Sequence, residues 1–188
     1  MEQFRQFLKS IAPISEDEFV QARPFFSEQQ LRKGDYFAQE GKICKHAAFI
    51  VKGTLRTYYF NDDSEEITAC FCIENNLTTS YKSFILQQPS TVIVQAMEET
   101  HLVVIDYDNL QKLYQLSPVW QAIGRIITER EYLVMEQYAS VLNSETAMEK
   151  YLRLIKEQPH VLQKASLEEI ASYLGVTRRT LSRIRKEI

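Results

Sequence analysis

The last residues of the chain, Ser166–Ile188, read SLEEIASYLGVTRRTLSRIRKEI. Ser166 and Glu169 stand three residues apart ahead of an apolar run, which is the signature of a capping box at the start of a helix. Gly175 interrupts the pattern where a turn with positive φ is easiest without a Cβ atom. Thr177 can then cap a second helix. Two helices are predicted, Leu167–Leu174 and Arg178–Ile188.

The apolar residues of this stretch fall where two crossing helices would share a small core. Ala171 falls where the helices approach most closely and a larger side chain would separate them. Together with the turn glycine, this spacing is typical of a helix-turn-helix, a motif that places its second helix in the DNA major groove. The shared core is predicted to contain Ile170, Leu174, Val176, Leu181 and Ile184.

The polar positions of the second helix form a basic surface once Leu181 and Ile184 face inward. Arginine near the start of such a helix can contact guanine with two hydrogen bonds, which contribute about 1–3 kcal/mol of discrimination. Arg185 and Lys186 lie further along and are expected to meet phosphate. A solvated helix face is the alternative interpretation. The candidate DNA-binding residues are Thr177, Arg178, Arg179, Ser182, Arg183 and Lys186.

Charge is divided unevenly along the chain. The net charge of the 188 residues is −3, but from Ser144 onward there are 9 Lys and Arg against 6 Asp and Glu. The balance is therefore +3 in this part and −6 in the first 143 residues. A basic tip on an acidic body attracts phosphate locally without general adhesion to polyanions.

Composition excludes several classes of protein. The hydrophobic content of 45% and the charged content of 25% are ordinary for a globular protein. No apolar run reaches the roughly 18 residues of a membrane span, and MEQFRQFLKS lacks a signal-peptide pattern, so we expect a cytoplasmic protein without membrane contact. Cys44, Cys70 and Cys72 are odd in number and lack CxxC spacing, which argues against a disulfide framework or a metal site. Cys70 and Cys72 are expected on one face of a strand.

In the middle of the chain, the sequence pattern changes from one typical of strands to one typical of helices. From about Leu31 to Ile105, turn residues separate short runs rich in β-branched and aromatic residues, which predicts a small antiparallel barrel or roll. The predicted strands are Ala48–Val51, Thr54–Phe60, Ile67–Ile73, Thr91–Ala96 and His101–Ile105. Helices are predicted at Ser15–Gln21, Asp108–Gln115 and Ala147–Glu157, the last being stopped by Pro159.

A long helix is predicted from Pro118, which follows the cap residue Ser117, to about Leu142. Its apolar stripe is larger than one domain readily covers, so pairing with a second copy of the chain is the economical solution. Burial against its own β domain is the alternative. The stripe contains Val119, Ile123, Ile126, Ile127, Leu133, Val134, Tyr138, Val141 and Leu142. A pause at Asn143-Ser144 is interpreted as a hinge, giving domains 1–116, 117–143 and 144–188.

The order of these elements, with three glycine-containing stretches, resembles the Crp/Fnr family of bacterial regulators. The stretches are Arg32-Lys-Gly-Asp35, Gln39-Glu-Gly41 and Phe49-Ile-Val-Lys-Gly-Thr54, and the resemblance extends from about Ile11 to Lys186. It implies an α+β fold with a jelly-roll-like antiparallel β-roll as sensory domain, a central dimerisation helix and a carboxyl-terminal helix-turn-helix. It also implies a homodimer on a palindromic operator in double-stranded DNA, and it leaves contact with RNA polymerase open.

The family resemblance assigns roles to the basic residues of the second helix. Arg178 and Arg183 match two positions that contact bases or phosphates in the family. Arg179 stands where many members have a glutamate that accepts a hydrogen bond from cytosine, so a different preferred DNA sequence is expected.

The presumed sensory pocket departs from the family pattern. Thr79-Ser80 stand about where Gly-Glu would be, and Ser90-Thr91 where the phosphate-binding Arg-Ser would be; no Arg occurs between Arg56 and Arg125. A buried phosphate needs a paired charge, which only Lys82 could supply locally. Cyclic AMP is therefore not expected to bind; another small effector, or none, is left open. The candidate pocket residues are Thr79, Ser80, Lys82, Ser90, Thr91 and Tyr132.

Enzymatic activity is not expected. His46, His101 and His160 are scattered, and no nucleophile elbow, P-loop or pair of catalytic carboxylates occurs. No cofactor or metal is predicted. The remaining alternative is a ligand-binding or interaction module whose basic tail contacts a protein rather than DNA.

Overall fold

A computed structural model describes residues 1–137 and 145–188, and it has the predicted α+β architecture. The helices are α1 Glu2–Ile11, α2 Glu16–Ala22, α3 Tyr81–Leu86, α4 Tyr107–Leu116, α5 Pro118–Ser144, α6 Ala147–Glu157, α7 Val161–Lys164, α8 Leu167–Leu174 and α9 Arg178–Ile184. The strands are β1 Ser27–Leu31, β2 Tyr36–Ala38, β3 His46–Lys52, β4 Leu55–Phe60, β5 Glu66–Cys72, β6 Leu77–Thr78, β7 Ile93–Ala96 and β8 Thr100–Asp106.

The eight strands form a roll of two four-stranded sheets, ordered β1-β8-β3-β6 and β2-β7-β4-β5. Neighbouring strands within each sheet are antiparallel. Each strand alternates its side chains between two faces, so the inward positions of both sheets meet in one apolar core. That core contains Leu31, Ala38, Cys44, Ala48, Ile50, Leu55, Val94, Ala96, Leu102 and Val104. The β-roll prediction is confirmed.

A second core joins helices α1, α2, α4 and α5 to the outside of the first sheet. Phe49 from β3 and Trp120 from α5 are almost fully buried in it. Helix α1 contributes Phe4, Leu8 and Ile11, whose spacing of four and three residues places them on one helix face. This helix was not predicted from the sequence, although the same spacing could have indicated it.

The first part of the long helix α5 is covered within the chain, and a later part is exposed. Trp120 and Ile123 are buried against the chain's own β domain, and Val119, Ile126 and Ile127 pack partly against the same core. The first part of the predicted stripe is therefore covered within one chain, as in the alternative interpretation. Further along, four consecutive large side chains are exposed: Tyr132, Leu133, Val134 and Met135. The predicted stripe positions Tyr138, Val141 and Leu142 and the hinge Asn143-Ser144 lie outside the described residues.

The boundaries of several elements differ from the prediction. Helix α9 ends at Ile184 rather than Ile188, because Arg185 is the cap residue that ends it. The short helix α7 was missed. Strands β1 and β2 were not individually predicted, because β1 is mostly polar and β2 has only three residues. Among the described helices, none is long and apolar enough to span a bilayer.

Candidate DNA-binding surface and effector region

The turn between α8 and α9 has the backbone geometry that its sequence predicts. The Ser166 hydroxyl accepts a hydrogen bond from the Glu169 amide at 3.2 Å, and the Glu169 carboxylate accepts one from the Ser166 amide at 2.7 Å. Gly175 ends α8 in the left-handed region, with φ 69° and ψ 32°. The Thr177 hydroxyl then accepts a hydrogen bond from the Thr180 amide at 3.2 Å. Both ends of the turn are therefore capped, as expected for two short helices held at a fixed angle.

The core between α8 and α9 is made by the predicted residues. Leu181 is fully buried, and Val176 is half-buried and packs against the same cluster. Ala171 is buried at the close approach where a small side chain was expected. The other buried members from these helices are Ile170, Leu174 and Ile184. Helix α6 contributes Tyr151 and Leu154 to the same cluster.

The polar residues of α9 and its flanks lie on the outside of this unit. Thr177, Arg178, Arg179, Arg183 and Lys186 are exposed. Ser182, the remaining candidate, is half-buried. Arg178 is engaged by an ion pair with Glu168 of α8, and a surface pair of this kind is weak enough to exchange for a phosphate or a base. The arrangement presents a row of cationic donors along one helix.

Two candidate effector residues are brought together inside the roll. The Ser90 hydroxyl donates to the Ser80 hydroxyl at 2.8 Å, and both residues are buried. Ser90 also accepts from the Val92 amide at 3.1 Å. The Thr79 hydroxyl donates to the carbonyl of His46 at 2.9 Å. These polar groups already have hydrogen-bond partners within the protein, so their burial does not require a ligand.

The other candidate effector residues are exposed and do not hydrogen-bond to the Ser80–Ser90 pair. Lys82 lies on α3 and Thr91 in the following loop, both facing solvent. Tyr132 lies on α5, where it lines an open groove of about 760 Å³ together with Tyr114, Gln121, Gly124, Arg125, Thr128, Glu129 and Leu133. This groove follows the outside of α4 and α5.

An additional polar contact, which sequence reasoning missed, joins the roll to helix α8. Arg56 of β4 is buried, and its guanidinium pairs with Glu66 at 2.5 Å and with Glu169 at 3.2 Å. Its guanidinium carbon also lies 4.3 Å from the centre of the Tyr58 ring. An arginine within an apolar strand was the available signal, because a buried charge requires partners.

The same contact continues along β5. The Ser172 hydroxyl donates to the Glu66 carbonyl at 2.8 Å and accepts from the Thr68 amide at 2.9 Å. Next to it, the rings of Phe71 and Tyr173 pack with their centroids 5.2 Å apart. Ser172 therefore satisfies backbone groups of β5, the outermost strand of its sheet, which would otherwise be an exposed edge.

An ion pair makes a further connection between the two units. Lys164, at the end of α7, pairs with Glu98 at 2.9 Å, and Glu98 also accepts from the Thr54 hydroxyl at 2.8 Å. Burial acts to raise the pKa of Glu98, but the hydrogen bonds from Lys164 and Thr54 outweigh it and lower that pKa. The charged form of Glu98 is thus favoured by the docked arrangement.

The fold and the geometry of this surface define a chain of two parts. A β-roll with flanking helices is followed by a long helix and a helical unit with an exposed basic helix. In the part of the chain that the structure describes, no group of three or more His, Cys, Asp or Glu side chains is arranged to hold a metal ion.

The roll is similar to a known family of domains. Residues 28–117 match the family described as "Cyclic nucleotide-binding domain". A search of curated proteins found no match.

Solved structures share the fold over most of the chain. FixK2 from Bradyrhizobium japonicum is 19% identical, with 86% of this chain and 83% of that chain covered and a TM-score of 0.70. A putative transcriptional regulator of the crp/fnr family from Eubacterium rectale is 20% identical over 95% of this chain and 87% of its own, with a TM-score of 0.68. The c-di-GMP responsive global regulator CLP of Xanthomonas campestris is 19% identical over 92% and 91%, with a TM-score of 0.67. At these identities the comparison establishes the fold.

Proposed function

We propose that the protein is a sequence-specific DNA-binding transcription regulator of the Crp/Fnr type, that it acts as a homodimer on a palindromic operator, and that cyclic AMP is not its effector. The observation that carries the proposal is the capped α8–α9 unit with its exposed arginines. Gly175 in the left-handed conformation and Ala171 at the close approach fit the angle between the two helices of a DNA-binding motif. No enzymatic role is proposed.

The charge distribution supports DNA as the partner. Arg179 and Arg183 are exposed one turn apart on α9, so they can address the same groove. The rest of the chain is acidic, so attraction to the DNA backbone is confined to this end of the molecule. A protein partner for the basic helix is the alternative, and it is less favoured because a capped two-helix core is not needed to present a basic tail.

The exposed segment of α5 supports the homodimer. Tyr132 to Met135 place four large side chains in solvent, each more than half exposed. Four consecutive residues span a full turn of helix, so this turn is uncovered around most of its circumference. A second copy offers the same apolar surface by symmetry. Two recognition helices would then be set about one turn of DNA apart, roughly 34 Å.

The interior of the roll supports a departure from cyclic AMP. Ser80 and Ser90 hydrogen-bond to each other, and the described part of this region holds no arginine that could pair with a buried phosphate. Another small effector that drives DNA binding remains the second candidate function. The relative that responds to c-di-GMP makes this dinucleotide a specific ligand to test.

Selection of bound duplexes from a random pool tests DNA recognition. We expect a palindromic consensus, and we expect Arg179→Ala and Arg183→Ala each to weaken binding to it by about 5- to 150-fold, the equivalent of 1–3 kcal/mol. Arg23→Ala, which removes an exposed arginine on the roll, is the matched control and should leave affinity unchanged. Failure to retain any duplex at low salt, or equal retention by all variants, would remove the proposal.

Calorimetric titration tests the effector. Cyclic AMP is expected to show no binding in the micromolar range, whereas cyclic di-GMP binding that raises affinity for the consensus DNA would favour the second candidate. Micromolar binding of cyclic AMP would contradict the proposal.

A further inference from the structure

Two of the three cysteines lie side by side on strand β5. Cys70 and Cys72 are two residues apart, so they share a face of the strand, and their Sγ atoms are 3.8 Å apart. Both are free thiols, and both residues are half-buried. Cys44, by contrast, is buried and hydrogen-bonds to the carbonyl of His46.

Cys72 packs partly against the apolar core of the roll, and a polar residue, Thr57, lies opposite Cys70 on β4. The β4–β5 register shifts at this point, with Thr57 opposite Cys70 and Tyr58 opposite Thr68. The Thr57 side chain acts to lower the pKa of both thiols. The register shift is a β-bulge, and bulges re-aim side chains at functional positions.

The two thiols differ in acidity. The hydrogen bond from Cys72 lowers the pKa of Cys70 to about 7, although burial and the facing charge of Glu131 on α5 act to raise it. The same hydrogen bond, together with burial, raises the pKa of Cys72 well above its ordinary value. A thiolate is the nucleophile in thiol–disulfide exchange, and a pKa near the ambient pH is the optimum for attack.

The residue between the cysteines faces the other way. Phe71 is buried on the opposite side of β5, where it packs against Tyr173 of α8. One strand therefore carries a thiol pair on one face and the contact with the helix-turn-helix on the other. A change in the backbone at Cys70–Cys72 must move Phe71, because all three residues share one short segment.

We propose that Cys70 and Cys72 are a redox-active pair that low-molecular-weight disulfides oxidise to an intrastrand disulfide, and that this disulfide loosens the packing of α8 on β5. The Cys70 thiolate attacks one sulfur of the small disulfide, forming a mixed disulfide and releasing one small thiolate. Cys72, on losing its proton to solvent, then attacks Cys70 Sγ and releases the second. The protein loses two electrons and two protons, and the small disulfide becomes two thiols.

The effect on α8 follows from the geometry of a strand. Residues two apart in an extended strand have Cα atoms about 6.6–6.8 Å apart, which is at the upper end of the roughly 4.4–6.8 Å that disulfides span. The sulfurs must also approach from 3.8 Å to about 2.05 Å. The strand must therefore shorten or twist locally, and Phe71 must shift against Tyr173. If α8–α9 binds DNA as proposed above, oxidation of the two thiols would alter the position of this DNA-binding unit through strand β5.

Mass spectrometry of the full chain treated with oxidised glutathione tests the chemistry. We expect the loss of two hydrogen atoms, mapped to a peptide that contains both Cys70 and Cys72. The Cys72→Ser variant should instead keep a glutathione adduct on Cys70, and the Cys44→Ala control should behave as the parent. No reaction, a persistent adduct on the parent chain, or cross-linked chains would overturn the proposal.

Hydrogen exchange tests the structural consequence without any DNA. The Thr68 amide, which donates to Ser172, should exchange at least tenfold faster in the oxidised chain than in the reduced chain. The Cys70→Ser, Cys72→Ser double variant should show no change on adding the oxidant. A disulfide that forms while this amide keeps its protection would overturn the coupling to α8. Because neither readout involves DNA, failure of DNA binding would leave both results interpretable.

Discussion

At the scale of single residues, Gly53 shows a close approach that only a glycine allows. It has φ 104°, and a Cβ atom placed on it would lie 2.8 Å from the Thr100 Cα and 2.9 Å from the Glu99 carbonyl oxygen. Those neighbours are backbone atoms of β8 and the turn before it, so they cannot rotate away. The turn between β3 and β4 therefore packs directly against the start of β8, the strand with which β3 pairs.

Replacing Gly53 with alanine is expected to lower the free energy of unfolding by about 2–4 kcal/mol, because backbone strain and steric overlap add. Gly41→Ala is the matched control: Gly41 also has a positive φ of 75°, but a Cβ atom there meets nothing within 4 Å. The control should lose only about 1–2 kcal/mol. Urea unfolding of both variants measures the difference, and equal losses would show that the contact with β8 is not restrictive.

Ser172 is the residue whose hydroxyl most directly holds α8 to the roll. It makes one hydrogen bond to each of two backbone groups of β5, at Glu66 and Thr68. Ser172→Ala should lower the free energy of unfolding by about 0.5–1.5 kcal/mol, because the part-buried Thr68 amide loses its partner and the exposed Glu66 carbonyl must bind water instead. The Thr68 amide should also exchange faster. Ser182→Ala, half-buried on α9, is the control, and an effect of the same size there would contradict this role.

At the scale of elements, the sequence predicted most where local chemistry and packing agree. The α8–α9 turn was predicted to the residue because the Ser166 cap, Gly175 and the apolar spacing all specify the same geometry. Helix α9 was predicted too long because nothing after Ile184 is apolar except Ile188, which is exposed and has no core to join. Local pattern alone does not reveal where tertiary support ends.

The contacts between elements were the part that the sequence did not reveal. Arg56 belongs to β4, Glu169 to α8, and they are separated by more than a hundred positions along the chain. Sequence periodicity predicts only local structure, so it gives no signal for a pair this far apart in the chain. The same reason applies to Ser80 and Ser90: both were selected as effector residues, but only the fold shows that they hydrogen-bond to each other.

The Lys164–Glu98 pair between α7 and the roll makes docking sensitive to acid. Because the pKa of Glu98 is lowered in the folded state, its contribution is present above the ordinary value near 4.5 and is lost as pH falls below it. Thermal unfolding between pH 7 and pH 3 should therefore show a smaller acid-dependent loss in Glu98→Gln than in the parent. Glu157→Gln, an exposed carboxylate on α6, serves as control. Identical acid profiles for Glu98→Gln and the parent would contradict the assignment.

At the scale of the whole molecule, the two parts are joined by a mixture of apolar and polar contacts. Phe71 and Met97 of the roll enter the same apolar cluster as the core of α8 and α9. Around it lie the buried Arg56 with its two carboxylates, the Ser172 hydrogen bonds to the β5 backbone, and the more exposed Lys164–Glu98 pair. The interface between the two parts is therefore a mixture of apolar burial and polar pairing, as interfaces between domains of one chain commonly are.

The exposed segment of α5 sets the last expectation for the whole molecule. Leu133 is 60% exposed in the single chain, next to Val134 and Met135, and nothing in the described chain covers it. Leu133→Glu should convert the dimer to a monomer in light scattering, because a charge on both copies would be desolvated and mutually repelled in a symmetric contact. It should also weaken operator binding at least tenfold, since a monomer can occupy only one of the two half-sites. Leu86→Glu, at a leucine 54% exposed on α3, is the matched control. A parent chain that is monomeric, or a Leu133→Glu variant that stays dimeric, would show that this surface serves another partner.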